Sequence, residues 1–301
     1  MNILILGGAG FIGSHLVDRL AGNGHCISVL DLAANPSPLI KNHFVGSHLD
    51  TSLLTRAIND VDLVCHLIST TVPASSNANI AFDIESNLTA SIRVFEVMRE
   101  LDVRKVVYLS SGGTVYGNST VYPIPETHNL DPTSSYGIVK VAVEQYLRMY
   151  EQLYDFQPLI VRPANVYGPG QNLTKPQGVI GHFLKGALQN QPIQVWGDGT
   201  VRRDYIFVSD LVDMIARAIE SDSTGTYNAG AGVDFSVLQI IDTIEQVLGR
   251  GLKKEFLEPR GYDIAKVRLD ITEAEKAFGW TPTVDLQEGV RRQLASYSLG
   301  K

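Results

Sequence analysis

The chain has 301 residues, 44% of them hydrophobic, and a formal net charge of −7, an ordinary globular composition with enough length for one large domain or two interleaved lobes. That charge excludes the basic footprint of a nucleic-acid partner, so any anionic substrate has to be met by a few placed arginines. Cys26 and Cys65 lack metal-ligand spacing and read as inert core thiols, and no apolar run approaches a membrane span. With a first strand already under way at Asn2, leaving no room for a signal peptide, these features predict a cytoplasmic protein without membrane insertion or metal.

Residues 2–6 (Asn-Ile-Leu-Ile-Leu) are an apolar run suited to a central parallel strand. Gly7, Gly8, Gly10 and Gly13 follow at once and fit both G-x-x-G-x-x-G and G-x-G-x-x-G. Phe11, Ile12, Leu16 and Leu20 then recur at helical spacing, so the helix N-terminus faces the glycine turn and presents unpaired N–H groups to a pyrophosphate. Gly22 and Gly24 end the helix, Cys26 to Leu30 reads as a second strand, and Asp31 closes it at the distance where a carboxylate accepts from an adenosine ribose. Asp31 repels a 2′-phosphate, and Leu32, Ala33 and Ala34 supply no arginine to receive one. The pattern therefore predicts NAD rather than NADP.

A Pro-containing loop, a short strand at His43 to Val45, a helix from Thr51 to Ile58 and an apolar strand from Val61 to Ile68 come next. A helix is expected from about Ala81 to Leu101, with Leu88, Ile92, Phe95 and Val97 inward and Arg93, Glu96, Arg99 and Glu100 outward. Val103 to Ser110 is a further strand, and Ser110 to Tyr116 is a turn at its carboxyl end, where open α/β sheets place their ligands. A helix from Tyr136 to Tyr154 and a strand from Leu159 to Pro163 complete a doubly wound parallel sheet of Rossmann type. Beyond Asn165 the elements become smaller. Pro, Gly and Asn cluster from Pro169 to Gly178, a helix runs to about Gln189, and Ile193 to Val208 alternates around Gly197-Asp198-Gly199 like a hairpin. Later helices begin after Ser209 or Asp210, at Ser236, and at Thr272, where Glu275 completes a capping box. This mixed α/β part reads as a lid sharing a cleft with the first lobe.

Tyr136 and Lys140 stand one turn apart on one helical face. A tyrosine is a poor base near pKa 10, but a neighbouring ammonium and a positively charged nicotinamide both favour the phenolate. The pair is therefore expected to accept a hydroxyl proton near neutrality.

The motifs Gly7-Gly-Ala-Gly-Phe-Ile-Gly13, Ser110-Ser-Gly-Gly-Thr-Val-Tyr-Gly117, Tyr136-Gly-Ile-Val-Lys140, Arg162-Pro-Ala-Asn-Val-Tyr-Gly-Pro169 and Gly197-Asp-Gly-Thr-Val-Arg-Arg-Asp-Tyr-Ile206 span nearly the whole chain. In them the chain resembles an extended short-chain dehydrogenase/reductase of the nucleotide-sugar epimerase and dehydratase family, most like the UDP-hexose 4-epimerases. The resemblance implies an NAD-binding domain over residues 1–165 and an interleaved nucleotide-sugar lobe over 166–301. It implies a cofactor groove from Gly7, Gly10, Phe11, Ile12, Gly13, Asp31, Leu67, Asn87, Ser110 and Pro163. Tyr136 would be the acid/base, and Lys140 would hold the nicotinamide ribose and tune Tyr136. Asn165, Arg203 and Arg260 would grip the diphosphate, a task suited to the planar fork of arginine. Val267 would gate the C2 substituent, its small side chain leaving room for an N-acetyl group, and a homodimer through the helices Ala81–Leu101 and Tyr136–Tyr154 is expected.

The chain departs from the family pattern at Gly112, where a catalytic Ser or Thr usually stands. The hydroxyl that bonds the sugar O4 must then come from Ser111 or Thr114, or be absent. Ser47 and Ile68 are lesser departures in the cofactor groove. Gly113 and Thr114 occupy the places of the Asp-Glu pair that sugar 4,6-dehydratases need, which speaks against dehydration. NAD-dependent C4 epimerisation of UDP-glucose/UDP-galactose or their N-acetyl forms is thus expected. A nucleotide-diphospho-4-keto-sugar reductase is the alternative, and an inactive NAD-binding sensor a more distant one.

Overall fold

The computed structural model describes residues 1–35, 37–172, 178–259 and 264–298. The first lobe runs β1 (Asn2–Leu6), α1 (Phe11–Gly22), β2 (Cys26–Asp31), β3 (Ile40–Val45), α2 (Thr51–Ile58) and β4 (Leu63–His66). There follow α3 (Pro73–Ser76), α4 (Ile80–Asp83), a π-helical turn (Ile84–Thr89), α5 (Ala90–Glu100), β5 (Lys105–Leu109), α6 (Ser135–Tyr154) and β6 (Gln157–Pro163). Next are β7 (Asn165–Tyr167), α7 (Val179–Leu188), β8 (Ile193–Trp196), β9 (Arg202–Phe207), α8 (Val208–Glu220) and β10 (Gly225–Ala229). The chain closes with β11 (Asp234–Ser236), α9 (Val237–Leu248), β12 (Lys254–Leu257), α10 (Thr272–Phe278) and α11 (Leu286–Ser298).

The main sheet has seven strands in the order β10-β6-β5-β4-β1-β2-β3, paired in parallel throughout. A parallel sheet is covered on both faces, which is why its strands are apolar runs rather than alternations. In β1, Ile3 and Ile5 join the core with Leu16, Val17 and Leu20 of α1. Leu4 and Leu6 face the other way, into the core with Leu54, Ile58, Val94 and Phe95. Each such side chain contributes about 1.5–3 kcal/mol relative to exposure.

The strand order reverses between β1 and β4, which makes the carboxyl ends of those strands the expected ligand crevice. The later segments return to this sheet: β10 extends it beyond β6, and α8 packs on α1. No helix among the described residues is long and apolar enough to cross a membrane.

Four local expectations are corrected. The segment Ile193 to Val208 is not a hairpin, because β8 pairs in parallel with β12 while β9 pairs with β11 and β7. Alternation predicts strands but not their partners. The helix expected over 81–101 is α4, the π turn and α5 in succession; Phe95 and Val97 are buried as expected, together with Val94 and Met98, while Ile92 and Leu88 are only partly covered. Thr272 does not cap α10; it is the first helical residue, and both its N–H and hydroxyl go to Asp270. Ser236, by contrast, caps α9 in a reciprocal box with Gln239. Of the cysteines, Cys65 is buried and Cys26 only partly so.

Candidate active site

The glycine turn leads from β1 into α1 at the strand reversal. A Cβ on Gly13 would lie 2.1 Å from the Gly7 carbonyl oxygen, and one on Gly8 would lie 2.6 Å from a methyl of Val29, so neither position accepts a side chain. Gly7 itself has φ +87°, the left-handed region that favours glycine. No side chain caps α1 and no acid lies in its first turn, so the N–H groups of that turn have the electrostatics a phosphate requires. Phe11, Ile12 and Gly13 belong to that turn. The Asp31 carboxylate accepts from the Ala9 N–H at 3.0 Å, and the Asn35 amide donates to the Gly8 carbonyl at 2.7 Å, fastening the loop after β2 against the turn. Leu67 follows β4 and donates its N–H to Leu6 at 3.0 Å, while Ile68 lies against Gly7. A close-approach turn, an uncapped helix start and a strand-end carboxylate fit a dinucleotide with an unphosphorylated ribose, and they leave no basic side chain on residues 32–35 for a 2′-phosphate.

Residues from four segments converge beside this turn. The Ser134 hydroxyl accepts from the Gly137 N–H at 3.3 Å and starts α6 there. A Cβ on Gly137 would lie 3.0 Å from the Thr114 carbonyl oxygen, so glycine lets the first turn of α6 press onto the 110–117 turn. Tyr136 thereby comes beside the hydroxyls of Ser111 and Ser69, both of which favour its ionised form, while part of its surface stays open. Lys140 is buried; its Nζ donates to the Leu109 carbonyl at 2.7 Å and lies 5.6 Å from the Tyr136 ring centre and 4.9 Å from that of Tyr108. On the π turn, Asn87 Oδ1 accepts from the Thr70 N–H at 2.9 Å, and its amide donates to Asp83 at the same distance.

Burial pushes the Tyr136 phenol up to about 12, against the opposing effect of the hydrogen bonds to Ser69 and Ser111, and the Asp83 charge adds to the rise. Burial likewise brings Lys140 down to about 8, with Glu144 and Asp83 holding it from falling further. Desolvation thus keeps the phenol protonated in the chain by itself, with the lysine still charged at neutral pH.

Gly112 has a steric explanation: a Cβ there would lie 2.6 Å from Leu269 Cδ1 and 2.9 Å from the Arg162 carbonyl oxygen. Leu269 fills the space a side chain at 112 would need, and the hydroxyl on Tyr136 belongs to Ser111 instead. Thr114 is not brought to Tyr136 in this way; its hydroxyl oxygen is buried without a partner. Gly113 and Thr114 carry no acid, and a Cβ on Gly113 would approach the Asn165 amide oxygen to 3.3 Å.

On the substrate side, Asn165 of β7 pairs with Tyr205 of β9, which puts Asn165 and Arg203 on one face of the small sheet. Arg203 also donates to the Arg202 carbonyl at 2.9 Å. Val267 is 3% exposed and lies in the apolar core, its N–H held by the Arg202 carbonyl at 3.0 Å, which is the environment of a packing residue. Arg260 lies outside the described residues. Among the described residues no group of three side chains is arranged to hold a metal ion.

Sequence reasoning missed Ser69, Asp83, Glu144 and Arg162. Glu144 and Arg162 form a buried ion pair in which Nε donates to one carboxylate oxygen at 3.1 Å and Nη2 to the other at 2.5 Å. Ser110 gives its hydroxyl to the same carboxylate, so the side chain expected at the cofactor faces α6, and the Pro163 carbonyl is taken by the Gly112 N–H at 2.9 Å. Arg162 continues to the Tyr116 hydroxyl at 2.9 Å, and Tyr116 to Asn228 at 2.7 Å. The available signals were spacing, since Glu144 follows Lys140 by one turn and Asp83 precedes Asn87 by one, and a charged Arg162 inside an apolar strand.

A Rossmann sheet with a glycine turn and a Ser-Tyr-Lys constellation at its switch point defines an NAD-dependent enzyme of the short-chain dehydrogenase class. The chain belongs to the NAD dependent epimerase/dehydratase family, whose sequence profile matches residues 3–230. It is 37% identical to UDP-glucose 4-epimerase of Mycolicibacterium smegmatis over 303 residues, covering 97% of each chain. It is 32% identical to dTDP-4-dehydro-6-deoxyglucose reductase of Escherichia coli, over 98% of this chain and 97% of that one. Its fold matches a crystal structure of Thermus thermophilus UDP-glucose 4-epimerase in complex with NAD at TM-score 0.92 and 30% identity, covering 99% of each chain.

Proposed function

We propose that the enzyme interconverts the C4 epimers of a UDP-hexose, UDP-glucose and UDP-galactose first, through a transient 4-keto sugar. The observation that carries this reading is the partly exposed Tyr136 phenol beside the Ser111 and Ser69 hydroxyls, with the buried Lys140 Nζ 5.6 Å from its ring centre. Tyr136 takes the proton from the sugar O4 and returns it, Ser111 shares that proton's hydrogen bond, and Lys140 holds the nicotinamide ribose. NAD, when bound, supplies the hydride acceptor for C4 and a positive ring that favours the Tyr136 phenolate. Asn165, Arg203 and Arg260 hold the diphosphate. With Gly113 and Thr114 after the turn, no acid pair is available to remove water.

The test is NMR of UDP-sugars incubated with enzyme without added NADH. UDP-glucose is expected to equilibrate with UDP-galactose, and the absence of epimerisation of every UDP-hexose tried overturns the reading. UDP-GlcNAc belongs in the same panel: its turnover supports Val267 as the C2 gate, and turnover of UDP-glucose alone makes Val267 a packing residue. The identity to the E. coli reductase supports a second reading, and NADH consumption with a 4-keto sugar would favour it.

A homodimer is part of this proposal. The α6 helix lies beside α4, the π turn and α5, and these elements expose Ile80 (54%), Ile84 (42%), Ile138 (56%) and Leu153 (63%). Sedimentation is expected to give twice the chain mass of 32.9 kDa, falling to one chain in Ile138→Glu/Leu153→Glu. A wild-type mass of one chain would refute it. The two free thiols support a reducing, cytoplasmic setting.

A further inference from the structure

Asp83 has no exposed surface, and its carboxylate accepts from three segments at once: Thr71 Oγ1 at 2.5 Å, Asn87 Nδ2 at 2.9 Å and Ser135 Oγ at 2.6 Å. These reach the loop after β4 that carries Ser69, the π turn that carries Asn87, and the residue immediately before Tyr136. All three donors are neutral. Burying a carboxylate costs several kcal/mol even after relaxation, whereas an asparagine could serve the same hydroxyls and amide without that penalty. The negative charge therefore needs an electrostatic reason.

Lys140 provides one. The groups facing it are Glu144 and Tyr136 from its own helix, Tyr108 from β5, His66 from β4 and Asp83 from the end of α4. His66 is held neutral, burial bringing it to about 3, and Tyr108 is pushed well up by burial. Glu144 is the larger of the two charges that hold Lys140 up, and both its oxygens are engaged by the Arg162 guanidinium. Asp83 is left as the carboxylate whose partners offset none of its charge.

We infer that Asp83 is a positioning residue for the Tyr136–Lys140 pair: it ties Asn87 and the Thr70–Thr71 loop to the start of α6, and its charge holds Lys140 as the ammonium. The inference rests on the proposed roles of Tyr136 and Lys140, but its electrostatic half has a readout independent of turnover. In the holoenzyme, Asp83→Asn is expected to move the ¹³C NMR titration midpoint of the Lys140 ε-carbon, assigned with Lys140→Arg, down by about one pH unit. The sign follows because removing a negative charge makes the ammonium lose its proton at lower pH. The alkaline limb of kcat should move with it, lowering kcat near pH 8 by about fivefold with KM within about twofold. Ser135→Ala cuts one tie and keeps the charge, so it should lower kcat modestly without moving the limb. An Asp83→Asn midpoint and limb within about 0.3 unit of wild type, or an equal displacement in Ser135→Ala, overturns the inference. The Ser135→Ala result stands even where Asp83→Asn does not fold. Should Tyr136→Phe leave turnover intact, the active-site reading fails, while the NMR midpoint still reports whether Asp83 acts on Lys140.

Discussion

Replacing Tyr136 by Phe is expected to lower kcat by about 10²–10⁴-fold, the range general acid–base groups contribute, with NAD content unchanged. The substitution removes one oxygen and leaves the ring against Lys140, whose own anchor is the Leu109 carbonyl and not the phenol. Cofactor retention and loss of turnover should therefore separate cleanly. Ser69 keeps its own bond to the Thr71 carbonyl at 3.0 Å, so the loss of one phenol oxygen leaves the fold intact. Stopped-assay NMR or coupled detection of the epimer measures the loss, and absorbance of NAD released on denaturation measures occupancy. A kcat within tenfold of wild type would mean that another group moves the proton.

The second large effect is on stability. Arg162→Met should destabilise the protein by about 3–5 kcal/mol, because Glu144 is then a buried carboxylate with no counter-charge. Both side chains of the pair are 1% exposed or less, so water cannot take over the role of the guanidinium. The Arg162 side chain also holds the Tyr116 hydroxyl and the Glu126 carbonyl, which ties the 110–117 turn to the return segment around Asn228. Denaturant unfolding followed by fluorescence is the measurement, and Arg162→Met/Glu144→Gln should recover part of the loss because the stranded charge is gone. A single-mutant loss below about 1 kcal/mol would show that the pair is not the buried tie described. The double mutant should not regain turnover, since Lys140 loses the Glu144 charge that supports it.

The strengths and failures of sequence reasoning have physical causes. A buried parallel strand must be apolar on both faces, so β1, β2, β4, β5 and β6 announce themselves as runs of Val, Ile and Leu. The hairpin expected around Gly197 failed because strand partners are chosen by distant segments: β8 found β12 some sixty residues later, and β9 found β7 and β11. The capping box at Thr272 failed for a local reason instead, Asp270 having taken both donors of the threonine.

Sequence alone determined the nucleotide end of the site and the Tyr136–Lys140 pair. A phosphate turn needs glycines at fixed spacing, an adenosine ribose needs an acid at the next strand end, and two side chains one helical turn apart must share a face. These are short-range constraints that any fold must respect. Only the tertiary structure put the Ser111 hydroxyl beside Tyr136 and explained the glycine at 112, whose side-chain space Leu269 fills from more than 150 residues away. It likewise decided that burial holds the phenol protonated, and that Asp83 and Glu144, the latter paired with Arg162, are the charges acting on Lys140. Desolvation and packing are properties of the surroundings in space, and residue spacing along a chain carries no measure of them.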